Sequence, residues 1–287
     1  MAELFISTNQ AGLEIYPNPE LKPESGWSSE IGIKQGVKIG NWMGYIDVAA
    51  FIQQYDDMME FSFGQWGGNT KPLGGLGFKS LNVGKTQISG VELSLSGQGK
   101  INPDLTINVI AGYTYMRPIS LSSNSIYAYG INHGDTSKTT YVMNDVGEVT
   151  DTTYTLIDQS INYNNSSSDS TILKYRYKNI AKLDLEIKYK KLSFGGSFRY
   201  NDFMSNIDRI FTNPAIGGDE GMIPGINSAR DKFKDGDLVI DLRAGYQMTK
   251  TARLGFIVNN LLNREYMSRP ANMMPPRTFA MQLALKI

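Results

Sequence analysis

Between Ala181 and Lys190 the chain reads AKLDLEIKYK: Ala181, Leu183, Leu185, Ile187 and Tyr189 are apolar or aromatic, and Lys182, Asp184, Glu186, Lys188 and Lys190 are charged. A period of two is a β-strand with one oily and one charged face. Nine stretches keep this period, and no segment carries a comparable helical one. Ser25 to Gln35 sets Trp27, Ile31 and Ile33 against Ser28, Glu30 and Lys34; Trp42 to Tyr55 sets Ile46, Val48 and Ile52 against Asp47 and Gln53. Thr86 to Gln98, Leu105 to Met116, Tyr177 to Lys190 and Ser193 to Asn201 follow, then Asp237 to Met248, Arg253 to Leu262 and Thr278 to Ile287. The pattern alone does not say which face meets water. In a soluble protein the charged face is outside; in a transmembrane barrel the assignment inverts.

Strand length and connection length bear on that choice. Globular strands average roughly five or six residues, whereas a tilted membrane-spanning strand needs about 9 to 11. Most of these stretches have the second length, and aromatics gather near their ends, as with Trp27, Trp42, Tyr113, Tyr115, Tyr189, Tyr200 and Tyr246. The connections alternate between tight turns at Gly36 to Asn41, Gly99 to Asp104, Lys190 to Leu192 and Thr249 to Ala252, and long polar segments. The long segments run from Asp57 to Gly84, Arg117 to Tyr175, Asn201 to Lys234 and, shorter, Asn263 to Pro276. In an antiparallel meander every second connection lies at the same end, so one end is trimmed and the other elaborate. Short turns at one face, long loops at the other and aromatic girdles between them are the pattern of outer-membrane barrels. A soluble β-sandwich and a fibrous adhesin also alternate, and they remain the rival folds.

Composition narrows function further. The 287 residues carry 28 acidic and 28 basic side chains, which gives no reason to expect nucleic acid as a partner. The chain has no cysteine and one histidine, His133, so thiol chemistry and multi-histidine metal sites are absent. No run approaches the length of a membrane-spanning helix, a test that barrel strands escape. The first residues, MAELFISTNQ, lack the basic and apolar regions of a signal peptide, so the expectation is a cytoplasmic chain or a missing beginning.

Enzymatic signatures are weak. Gly74 to Gly77 (GGLG) lacks the lysine of a phosphate loop, there is no Gly-x-Ser-x-Gly elbow, and one histidine supports a hydrolase triad poorly. Asp56, Asp57, Asp219 and Glu220 lack calcium-loop spacing, and Asn164 and Asn165 formally fit a glycosylation pattern. Met58, Met59, Met273 and Met274 read as loop filling rather than metal ligands. No cofactor is expected.

Three landmarks then match a known family in order along the chain. Asn18 to Glu24, NPELKPE, before the strand start WSSEIGIK resembles a segment of the C-terminal half of TonB-dependent outer-membrane receptors. Ala2-Glu3-Leu4-Phe5 is similar to the end of another of their stretches. Val258 to Tyr266, VNNLLNREY, and Pro276-Arg277-Thr278-Phe279 resemble their closing patterns, with Pro275-Pro276 in place of Pro-Gly and Ile287 where an aromatic usually ends the chain. The resemblance implies about nine strands of a 22-stranded barrel, with the plug domain and earlier strands absent. It also implies uptake of a scarce nutrient across the Gram-negative outer membrane, with TonB acting through the absent N-terminal part. An iron chelate is the first expectation for the ligand, then another metal complex, then an oligosaccharide or peptide. A barrel enzyme or a surface adhesin is the alternative.

On this reading lipid is a partner of the apolar face. Glu30, Asp47, Glu92, Asp184, Glu186, Lys188, Arg199, Asp241 and Arg243 line a wet lumen, where some are expected to pair with the plug. Phe61, Phe63, Trp66, Tyr127, Tyr129 and Phe211, in the long segments, are the candidates for contact with a small-molecule nutrient, because aromatic rings give large contact area at small entropy cost. Ordinary loop packing is the competing explanation for them.

Overall fold

The computed structural model describes residues 8–10, 13–67, 75–129, 137–143, 149–156, 160–213, 224–269 and 272–286. Nine strands form one antiparallel sheet: β1 (Ser25–Ile39), β2 (Trp42–Asp56), β3 (Thr86–Asn102), β4 (Leu105–Ser120), β5 (Asn179–Tyr189), β6 (Leu192–Asn201), β7 (Asp237–Gln247), β8 (Ala252–Asn259) and β9 (Thr278–Leu285). Their order in space is their order in the chain. All nine expected strands are therefore present, and every neighbour is reached by a hairpin. The first four run longer than the alternation indicated, and β8 ends three residues before Leu262.

The short connections close for local reasons. Ile39 faces Trp42 across Gly40-Asn41, and Gly40 takes a φ of +59°, which suits glycine. In the β3–β4 turn the Asn102 side chain accepts from the backbone N–H groups of Asp104 and Leu105 at 3.0 and 2.9 Å. Lys190-Lys191 joins β5 to β6, and Thr249 Oγ1 accepts from Thr251 and Ala252 between β7 and β8.

Register decides what each face presents. Gln35, Ile46, Leu95, Ala111, Leu183, Phe198 and Ile240 stand in one continuous row across seven strands. The next row toward the turns holds Val37, Val109, Leu185, Leu242, Val258 and Phe279. Among the described residues nothing is packed on this apolar face: Ile31 and Met281 are each 77% exposed. A face this large and bare is unstable in water and suited to hydrocarbon. Tyr189, Leu192, Tyr246 and Leu254 share the row nearest the turns, while Tyr115 stands opposite Asn179, ten residues up β5. Ten residues are about 34 Å of strand, or about 25 Å of height at a tilt of roughly 40–45°, the height of a barrel's apolar band.

The long connections are not structureless. The β2–β3 connection is itself a hairpin, Met59–Gln65 with Leu76–Asn82, and Leu13–Tyr16 adds to it in parallel. The β4–β5 connection contains the paired strands Ser137–Met143 and Val149–Leu156 and the one-turn helix Tyr163–Ser166. The β6–β7 connection contains the helix Ile226–Lys232. The expected polar segments thus form a second layer, all on one rim of the sheet.

Candidate ligand-binding site in the long-loop layer

The hairpin Met59–Gln65/Leu76–Asn82 repeats the two-residue period on a smaller scale. Phe61 faces Ser80 and Phe63 faces Phe78 on one side; Glu60 faces Leu81 and Ser62 faces Lys79 on the other. The candidate aromatics are divided accordingly. Phe63 and Phe211 are buried, with ring centroids 5.1 Å apart, and Phe78 meets Phe63 edge-on at 4.9 Å. Together with Met204, Ile207 and Ile226 they form a core that binds the β2–β3 connection to the β6–β7 connection. For Phe63 and Phe211, loop packing is the reading the structure supports. Phe61 stays 37% exposed at the rim of a cavity of about 440 Å³.

Trp66, Tyr127 and Tyr129 come together on the opposite side, in a cleft of about 640 Å³ bordered also by Lys22, Asp57 and Lys79. Trp66 is fixed by its indole N–H, which donates to the Ser62 carbonyl at 3.1 Å. Its ring lies over Gly64, where a Cβ would stand 2.8 Å from the ring, so only glycine leaves the space. Lys79 Nζ lies 5.8 Å from the ring centroid on the cleft side. The Tyr127 hydroxyl is 2.6 Å from Ser166 Oγ, and burial pushes its pKa up, so the ring enters the site as a neutral phenol. Tyr129 is 49% exposed.

The segment NPELKPE secures one wall of this cleft. Asn18 donates to the Ser80 carbonyl at 2.8 Å, while Asn82 both accepts from the Lys22 N–H at 2.8 Å and donates to the Lys22 carbonyl at 2.9 Å. VNNLLNREY has a matching role at the next loop. Asn260 accepts from the Arg264 N–H and donates to the carbonyls of Arg264 and Pro275, and Asn263 accepts from the Arg277 N–H. Asn260 and Asn263 both have a φ of +50°. That left-handed turn, tolerated by asparagine, is why β8 stops at Asn259.

Against the cavity that has Phe61 at its rim lies a polar network that the sequence did not reveal. Tyr163 donates to Glu60 at 2.9 Å and accepts from the Lys174 N–H at 2.8 Å. Lys174 Nζ reaches Asp208 at 2.7 Å and Ser62 at 3.0 Å, and the Tyr175 hydroxyl donates to the other Asp208 oxygen at 2.5 Å. Lys174 and Asp208 are each 1% exposed. Burial opposes the Lys174 charge, but Asp208, Tyr127 and Glu60 together outweigh it and hold the ammonium above its ordinary pKa. Burial pushes the Glu60 carboxyl up, only partly offset by Lys174 and the Tyr163 hydroxyl, and Glu60 Oε1 has no hydrogen-bond partner among the described residues. Three connections are thereby tied at one point.

The nine charged candidates all fall on the polar face of the large sheet. Most of them satisfy one another. Arg243 grips Asp184 with two nitrogens at 2.7 and 2.8 Å and lies 3.6 Å from Glu186, which also meets Lys188 at 2.8 Å; Ser197 donates to Asp184 as well. Arg199 pairs with Asp241 at 2.9 Å, and Lys34 stands 3.9 Å from Asp47. Glu30 and Glu92 have no ion-pair partner among the described residues. Of the methionines, Met58 is buried between Val83, Tyr163 and Leu173 as expected, but Met273 is 56% exposed, because its connection is pinned by Asn260 and Asn263 rather than by an apolar core. His133, Asp219, Glu220 and the stretch Ala2 to Phe5 lie outside the described residues.

Comparison with solved structures gives the same architecture. The pyoverdine outer membrane receptor FpvA of Pseudomonas aeruginosa PAO1 matches over 93% of this chain and 30% of its own, with a TM-score of 0.50 and 17% identity. The ferric-catecholate import receptor Fiu of K12 E. coli matches over 93% of this chain and 28% of its own, at a TM-score of 0.50 and 19% identity. The copper transporter OprC matches over 94% and 32%, at 0.50 and 13%. The chain thus spans about a third or less of these relatives, and at such identities they show the fold alone. Curated protein sequences give no match. The family described as TonB dependent receptor-like, beta-barrel, matches residues 1–261, nearly the whole of the sheet and loop layer. With its in-order meander, bare apolar face and one-sided loops, the chain belongs to the TonB-dependent receptor β-barrel family.

Proposed function

We propose that this chain is the C-terminal part of the barrel of an outer-membrane receptor that takes up a siderophore, another metal chelate or a similar scarce nutrient under the control of TonB. The observation that carries this reading is the gathering of Trp66, Tyr127 and Tyr129 at the long-loop rim of a sheet whose other dimension matches a bilayer. Three of the solved relatives are described as a pyoverdine receptor, a ferric-catecholate import receptor and a copper transporter, which favours a metal complex over a sugar. In this reading the apolar face meets lipid in the Gram-negative outer membrane, and the loops capture ligand. The polar face lines the channel around a plug contributed by the rest of the protein. Glu30 and Glu92, which lack partners on the wall, are the better candidates for plug contact; the Asp184–Arg243–Glu186 group is already compensated. No chemical step is required of the chain.

The experiment uses the complete receptor in a strain that depends on it for iron. Trp66→Ala with Tyr129→Ala should weaken capture of the cognate ferric chelate at least tenfold while leaving barrel assembly intact. Growth and binding that are unchanged by both substitutions, with every chelate that supports the parent strain, would remove the cleft from the uptake route.

A further inference from the structure

The rim of short turns is basic. Lys38 stands beside the β1–β2 turn and Lys100 beside the β3–β4 turn. Lys190 and Lys191 are the β5–β6 turn, Lys250 lies between β7 and β8, and Lys286 follows β9. All six are exposed. Asp104, 3.9 Å from Lys190, is the one carboxylate in these turns. Because the chain carries 28 charges of each sign, a surplus of cations here means a surplus of acid elsewhere. Charge is sorted along the strand axis.

The position of the lysines says what they meet. Tyr189 and Tyr246 mark the end of the apolar band, and Lys190 Nζ lies 5.4 Å from the Tyr189 ring centroid. Trp42 belongs to the same border, its ring lying over Gly97, where a Cβ would run into it. Lys190, Lys191, Lys250 and Lys286 lie one to four residues beyond the band, whereas Lys38 and Lys100 stand within its last rows on the polar face, opposite Met43 and Thr106. That places the four in the headgroup layer, which is about 5–8 Å deep on each side of the hydrocarbon. Hairpins along the rim are roughly 10 Å apart, twice the strand spacing, so the cations form an arc rather than one epitope. Six of the cations at this rim are lysines, mobile point charges that suit a shifting phosphate, whereas a fixed partner would favour the fork of arginine; the arginine at the rim, Arg253, is taken up by Ser193 at 2.8 Å.

We propose that the short-turn rim is a collar that docks the anionic phospholipid headgroups of the leaflet it enters. This rests on the membrane reading above. The test compares the complete receptor in bilayer discs of phosphatidylethanolamine alone and of phosphatidylethanolamine mixed with phosphatidylglycerol. Insertion is checked by heat-modifiable gel mobility, and retained lipid is counted by native mass spectrometry. The wild type should retain phosphatidylglycerol several-fold over its share of the bilayer and unfold at a higher temperature in the mixed disc. Lys190→Glu, Lys191→Glu and Lys250→Glu together should abolish both effects, with the corresponding glutamines used if the reversals block assembly. Lys85→Glu and Lys234→Glu, on the other rim, should leave both in place. A receptor that inserts but shows no enrichment, or keeps it through the turn substitutions, overturns the collar alone and leaves the rim to a soluble partner. A receptor that enters neither bilayer overturns the membrane reading with it.

Discussion

Glu60 is held in the loop layer at a cost. One carboxylate oxygen accepts from Tyr163, the other has no partner among the described residues, and burial raises its pKa. A raised folded pKa means that the folded protein holds this proton more tightly than the unfolded chain does. The resulting stabilisation is full below the ordinary carboxyl range and is lost as pH rises through the folded value. Glu60→Gln is therefore expected to flatten the pH dependence of loop-layer protection in hydrogen exchange above pH 4.5, while changing little below it. Lys174 and Asp208 respond differently. Lys174→Met alone leaves a buried carboxylate without its counter-charge and is expected to cost about 3–5 kcal/mol, and Lys174→Met with Asp208→Leu to recover most of that in the same exchange measurement. None of these roles was legible in the sequence. TILKYRY and SNIDRIF look like ordinary polar loop text, and the burial of Lys174 and Asp208 arises only when connections far apart in the chain pack together. Trp66, Tyr127 and Tyr129 were legible as ring-bearing loop residues, but nothing local distinguished them from Phe63 and Phe211, which fill a core.

The strands carried most of the readable information, because a two-residue period is a property of neighbours and needs no tertiary context. AKLDLEIKYK became β5, with Leu185 opposite Val109 and Gly196 inside the apolar band. An arginine at mid-band depth costs about 2–4 kcal/mol, so Leu185→Arg in the complete receptor should lower the folded, heat-modifiable fraction. Glu186→Leu, on the other face, should leave assembly intact; the reverse outcome would turn the wall inside out. Element ends were less readable. The alternation continues through Leu262, yet β8 stops at Asn259 because Asn260 spends its side chain on Arg264 and Pro275. The hairpin inside the β2–β3 connection was missed because its Phe61/Phe63 alternation is short and surrounded by glycine.

At the scale of the molecule, the outer edges of β1 and β9 pair with nothing among the described residues. Each backbone group left unpaired in hydrocarbon costs several kcal/mol, so nine strands cannot rest in a bilayer as an open sheet. Residues 1–287 refolded alone in detergent are expected to give no heat-modifiable band, and the complete receptor to give one. The register across those nine strands has a further consequence. Every residue of the wall is assigned to oil or water by whether its place along the strand is odd or even. Deleting Ser94 from the middle of β3 would exchange the two media for half of that strand, much as a lost nucleotide shifts a reading frame. The long connections lie outside that frame. Residues can be gained or lost between β4 and β5 without moving any wall residue to the wrong side, so the long-loop rim is free to change its surface while the wall keeps its parity.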